Sequence, residues 1–147
     1  MARVVDVATE NVRLPVSRER VRHAADAVLR AERVRDAVVS ITFVSTRRIA
    51  AMNRRHLRHS GATDVISFGL PAATTGAPLG GDIYIAPDVA RANAAQHGAS
   101  SRDELLRLVV HGVLHVLGHD HPNGEERYAS PMWKRQEALL RRELARA

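Results

Sequence analysis

The sequence predicts an α+β layered domain built around one small sheet. Three observations lead there. At 147 residues the chain can bury most of its apolar surface in one core without staples. Short β-branched stretches recur along it, Val38–Val44 (VVSITFV) being the clearest. Between them lie segments with apolar residues at helical spacing, such as Val21, Ala24, Ala25, Val28 and Leu29. No repeat and no linker-like stretch divides residues 1–147, so a single domain is expected.

The elements follow in order. Val4–Val7 reads as a short first strand. Pro15 and Ser17 precede the amphipathic helix through Leu29, and Val38–Val44 alternates as a strand should. Thr46 is placed to cap a helix that runs through Ile49, Met52 and Asn53 to about Leu57. Thr63–Phe68 (TDVISF) is another strand, entered from the turn-prone His59-Ser60-Gly61. Residues 69–81, rich in Gly, Pro, Ala and Thr, are expected to form a mobile loop. Asp82–Ala86 is a strand, and Pro87 suits the first turn of a helix that Gly98 closes. Ser101 and Glu104 match a capping box for a helix reaching Leu117. A last helix is expected over Glu125–Glu143, held by Trp133, Leu139 and Leu140.

Composition narrows the chemistry. Hydrophobic residues make up 45% and charged residues 26%, ordinary for a globular chain, while aromatics are only 3%. The core must therefore be built from Val, Ile, Leu and Ala. There is no cysteine, which excludes disulfides and thiolate metal sites and leaves His and carboxylates as metal ligands. The formal charge of +6 favours polyanions such as nucleic acid. Lys134 is the one lysine among 22 basic residues. Arginine forks suit phosphate, but the charge is scattered along the chain with no single block. Met1–Val5 carries no signal-like apolar run, and Arg107, His111 and His115 interrupt the most apolar segment. No membrane association and a cytoplasmic location are the expectation.

One segment carries a specific pattern. His111, His115, Gly118 and His121 stand as H-x-x-x-H-x-x-G-x-x-H. On a helix the first two histidines differ by about 40° of rotation and about 6 Å of rise, so both rings project from one face. Gly118 can end the helix and turn the chain back, bringing His121 toward the same point. Three neutral imidazoles leave one corner of a tetrahedron open, as a catalytic zinc requires. The plainer alternative is a helix with two half-buried histidines bonded to backbone. The apolar spacers Val113, Leu114, Val116 and Leu117 weigh against it, because they make this a core helix in which unpartnered imidazoles are costly. His119 is not at ligand spacing and is expected to pack or meet solvent. Asp120 either orients a liganding ring or caps the turn.

The spacing matches the zinc signature of metzincin proteases, H-E-x-x-H-x-x-G-x-x-H, with one difference. Gly112 stands where the general-base glutamate belongs. A protease would need Asp120 or Asp82 in its place.

The segment H-G-V-L-H-V-L-G-H-D-H resembles the H-G-x-L-H-L-x-G-Y-D-H of the YbeY family of bacterial endoribonucleases, with His119 in place of the usual tyrosine. Met52-Asn53 followed by Thr63–Phe68 is similar to that family's L-N…T-D-V-L-S-F, and Leu79–Ile85 to its L-G-D-I-x-I strand. The resemblance covers about residues 35–125. It implies a single-strand-specific, metal-dependent endoribonuclease acting on ribosomal RNA, notably at the 3′ end of the small-subunit RNA, and in ribosome quality control. Its partners would be single-stranded RNA and the small ribosomal subunit, and a non-enzymatic ribosome-binding factor whose zinc only stabilises the fold is the alternative it leaves open. It also implies a small mixed sheet packed with helices, a metzincin-like zinc helix at the centre, and one Zn2+ per chain on His111, His115 and His121. Many members place an arginine four residues after the asparagine of L-N. That slot holds Leu57 here, and Arg58 follows it, either reaching the same phosphate in a catalytic role or standing as a surface charge. Arg54, Arg55 and Arg91 are further phosphate-neutralising candidates. With so few aromatics for bases to stack on, binding is expected to be mainly electrostatic.

Overall fold

A computed structural model describes residues 2–57, 64–70, 77–122 and 124–146. Four strands, β1 (Arg3–Thr9), β2 (Ala37–Phe43), β3 (Val65–Leu70) and β4 (Leu79–Ile85), form a sheet of order β1-β2-β4-β3. β1, β2 and β4 run parallel, and β3 is antiparallel to β4. Parallel neighbours need a crossover, and helix α1 (Arg18–Ala31) supplies it between β1 and β2. The sheet is thus small and mixed, and the fold is α+β, as the sequence and the resemblance lead one to expect.

Side-chain alternation decides what covers each face. Along β2, Ala37, Val39, Ile41 and Phe43 are fully buried on one side, whereas Val38 on the other is 47% exposed. The buried side packs against α1 and α4 (Ser101–Val116). α4 also touches α3 (Pro87–Gln96) and α5 (Pro131–Leu144), which makes it the central helix. On the opposite face α2 (Thr46–Leu57) sets Ile49 and Met52 against Ile66, Phe68 and Tyr84.

Several boundaries differ from the sequence reading, each for a local reason. The glycine-rich stretch is not a loop at its ends: Gly69 pairs with Gly81 and Leu70 with Gly80 across a hairpin. β2 adds a second ladder to the same segment, pairing Ala37 with Leu79 and Val38 with Gly80. Hydrogen bonding on both sides overrides the weak strand propensity of glycine. Residues 71–76 of that expected loop lie outside the described residues. Ser45, not Thr46, caps α2, its Oγ accepting from Arg48 N at 3.1 Å. Ser100, not Ser101, caps α4, accepting from Asp103 N at 3.0 Å. Glu104 is instead buried (1% exposed), where its carboxylate receives Arg107 at 2.5 Å and His97 at 3.0 Å. The last helix begins at Pro131, because Ser130 Oγ accepts from Trp133 N and proline suits the first turn. Gly124–Ala129 before it is a separate 3₁₀ turn. No described helix is long and apolar enough to cross a membrane.

Candidate metal centre

The site begins with how α4 ends. Leu117 is its last half-helical residue, and Gly118 follows with φ +98°. Gly118 N donates to His115 O and His119 N to Leu114 O, both at 3.0 Å. This is a Schellman closure, which needs a left-handed residue where side chains are penalised. The chain reverses there and carries His121 back over the helix. Asp120 Oδ1 accepts from His121 N at 2.8 Å, so this carboxylate caps the turn and does not bond a ring.

The result is a near-equilateral triangle of imidazoles. Ring centroids lie 4.6 Å apart for His111–His115, 5.2 Å for His111–His121 and 5.0 Å for His115–His121. One nitrogen of each ring lies within 4.8 Å of the others, and the trio could hold a metal ion. In two of the rings a nitrogen is already assigned. His111 Nδ1 donates to Gln136 Oε1 at 2.6 Å, and Gln136 Nε2 donates onward to Glu137 Oε2 at 3.0 Å, which fixes the amide orientation. His121 Nδ1 donates to the Pro122 carbonyl at 2.9 Å. Nε2 of both rings is therefore unprotonated in the neutral form, the state a cation needs.

Electrostatics favour that neutral state. Burial pushes the His111 imidazole below its ordinary value, and the charges of His121 and Arg127 act in the same direction. Burial, with His111 and His121 beside it, brings His115 down to about 4. Rings that resist protonation but stand 5 Å apart suit a divalent cation held by nitrogen. The donor set fits.

A cleft of about 240 Å³ opens beside the trio, lined by His111, His121, Asp64, Arg127, Tyr128 and Trp133 among others. Burial raises the Asp64 carboxyl above its ordinary value, although Asn93 Nδ2 donates to Oδ2 at 3.1 Å. Gly112 explains why the protease pattern is broken. A Cβ there would stand 2.8 Å from Ile83 Cγ2, so α4 rests directly on β4 and a glutamate has no room. Asp82 cannot replace it either. It takes the Ser40 hydroxyl at 2.7 Å on the α2 face of the sheet, away from the trio.

The other sequence candidates are dispersed. Arg58 lies outside the described residues. Arg54 and Arg55 are exposed on α2, and Arg91 is paired with Asp88 on α3. His119 does not merely pack: its Nε2 meets Glu32 Oε1 at 2.6 Å, while Arg135 grips Glu32 Oε2 at 2.9 Å. The sequence reading missed Gln136, Asp64 and Arg127. Gln136 left a signal as a polar residue within the buried stripe Met132, Leu139 and Leu140 of an amphipathic helix, and Asp64 as the acidic residue of the T-D-V-I-S-F resemblance; Arg127 left none.

Comparison with known proteins agrees with this architecture. A solution structure of TM1509 from Thermotoga maritima superposes with a TM-score of 0.62 at 22% identity, over 95% of this chain and 89% of that one. A protein named Endoribonuclease YbeY from Anaeromyxobacter sp. (strain Fw109-5) is 40% identical over 143 residues, 97% of this chain and 71% of its own length. Another of that name, from Geobacillus kaustophilus (strain HTA426), is 43% identical over 115 residues, 72% of each chain. The family model described as Endoribonuclease YbeY matches residues 6–143. That span takes in the strand framework as well as all three histidines, and the chain belongs to the YbeY endoribonuclease family.

Proposed function

We propose that residues 1–147 act as one domain, a zinc-dependent endoribonuclease specific for single strands. Its substrate on this reading is ribosomal RNA, at the 3′ end of the small-subunit RNA and during ribosome quality control, in the cytoplasm. The carrying observation is the convergence of His111, His115 and His121 beside a cleft lined by Arg127, in a chain of an endoribonuclease family. These three residues would hold the zinc. When bound, such an ion acidifies a coordinated water and polarises a phosphoryl oxygen.

The chain's own groups do the rest. Gln136 and the Pro122 carbonyl hold the Nδ1 protons of His111 and His121, which keeps the ring orientations set before substrate arrives. Arg127 brings a guanidinium to the cleft wall, where it can neutralise phosphate charge and position the strand. Asp64, its carboxyl raised by burial, keeps its proton to higher pH than an exposed aspartate and can deliver it to a leaving oxygen.

Metal analysis combined with RNA digestion tests the proposal, wild type against a His111→Ala/His115→Ala double variant. The expected result is about one metal per chain and cleavage of single-stranded RNA, both lost in the variant. A stoichiometric metal with no hydrolysis of any RNA would overturn the nuclease reading and leave a binding role.

A further inference from the structure

The chain has five aromatic residues other than histidine: two Phe, two Tyr and one Trp. Phe43 is fully buried, and Phe68 and Tyr84 pack under α2. The remaining two, Tyr128 and Trp133, come together at the wall of the cleft that holds His111 and His121. From this juxtaposition we infer that Tyr128 and Trp133 form a stacking subsite for one nucleobase of a single-stranded RNA, beside the metal centre. The inference rests on the nuclease reading above and deepens it.

The geometry is that of a platform. The two rings stand 4.8 Å apart at 86°, an edge-to-face pair. Such a pair covers only one of its four ring faces. The Arg127 guanidinium lies 5.6 Å from the centroid of Tyr128, held in turn by its Nε bond to Gly124 O at 3.1 Å, and takes at most one more. At least two faces remain unused by these contacts. Tyr128 is 42% exposed and lines the cleft, so it is accessible to an incoming strand.

Position relative to the metal site is fixed by helix geometry. Trp133 and Gln136 stand three residues apart on α5, neighbours on one face with Cβ atoms about 5–6 Å apart. Gln136 bonds His111 directly, so the aromatic wall is tied to the imidazole trio through a single helical turn. At about 240 Å³ the cleft falls below the roughly 300–1,000 Å³ of sites that enclose a whole small molecule. It suits part of a polymer. A π-face beside a guanidinium is how proteins hold single strands with little base preference, since every base can stack. A duplex, with its bases already stacked and paired, could not offer one.

Trp133 is the only tryptophan, so its fluorescence reports on the subsite alone. The test titrates zinc-loaded protein with short 2′-O-methyl oligonucleotides, either base-bearing or abasic with the same phosphate backbone. Base-bearing oligomers should quench Trp133 and bind more tightly than abasic ones. Tyr128→Ala should weaken the base-bearing oligomer about tenfold, the scale of one stacked base, and leave the abasic one unchanged. Tyr128→Phe, which keeps the ring, should restore affinity. Equal quenching and affinity for both oligomers, or no loss in Tyr128→Ala, would overturn the subsite. Digestion of single-stranded RNA run in parallel separates the two readings. If RNA is cut while both oligomers bind alike, the subsite alone falls; if nothing binds and nothing is cut, both fall.

Discussion

Gln136 Oε1 accepts a 2.6 Å hydrogen bond from His111 Nδ1, joining the last helix to the central one at the metal site. The amide is almost fully buried, at 1% exposure, so the bond is shielded from water and its loss leaves an unsatisfied group.

Replacing this partner should loosen the metal before it loosens the fold. Gln136→Leu keeps the volume and removes the acceptor, and zinc affinity should fall about 10–100-fold. Competition with a chromogenic chelator measures it, with far-UV circular dichroism as the folding control. Unchanged affinity would mean that His111 orients itself.

His115 and His119 should separate cleanly. His115→Ala removes a member of the trio and should abolish both metal retention and RNA cleavage. His119→Ala removes only the bond to Glu32, at a cost of about 1 kcal/mol in stability, and should keep metal and activity. Equal loss in both variants would place His119 in the site itself.

Stability of the metal-free protein should rise with pH across the acidic range. Burial holds His115 down at about 4 in the folded state, against an ordinary value of 6.5, and lowers His111 as well. The unfolded chain therefore binds protons that the folded chain refuses. The stabilisation is complete above pH 6.5 and is lost progressively as pH falls toward about 4. Urea midpoints at several pH values check this, and His115→Ala should flatten the slope. A slope that is the same in the variant would rule the assignment out.

Asp64→Asn should trade activity for stability. A carboxyl raised by burial favours the folded state at low pH and opposes it once ionised, so the neutral amide should raise Tm at pH 7. If Asp64 donates the proton, the wild-type rate should fall as pH rises through the Asp64 ionisation, and the variant should be slower and lack that fall. A pH–rate profile identical to wild type would remove Asp64 from the chemistry.

Restoring the protease pattern should fail for steric reasons. Gly112→Ala places a Cβ 2.8 Å from Ile83 Cγ2 and should destabilise by about 1–3 kcal/mol, and Gly112→Glu by more. In an Ile83→Ala background the Gly112→Ala penalty should shrink, because the opposing atoms are gone. Denaturant unfolding of the four proteins in this cycle measures the coupling.

Local rules account for what the amino-acid order alone could determine. Helical spacing put His111 and His115 on one face, and the glycine after them demanded the reversal that returns His121; both follow from backbone geometry within eleven residues. The β-branched runs and apolar stripes likewise named the main strands and helices, because burial on one face imposes its period on the sequence. Competition between adjacent polar groups was not legible in the same way. Ser100 and Ser101 are chemically alike, and the choice of cap turned on Glu104 being drawn into the ion pair with Arg107. The hairpin that recruits Gly69 and Gly81 depends on ladders to strands far away in sequence. The wall of the site was decided by tertiary structure alone. Asp64 stands just before β3, Arg127 on the 3₁₀ turn and Gln136 on α5; β3 and α5 pack on α4 and the turn packs on α5, which brings all three beside the imidazoles. A ligand trio held on one turn is written into a short segment, whereas its surroundings are set by long-range burial that no local pattern encodes.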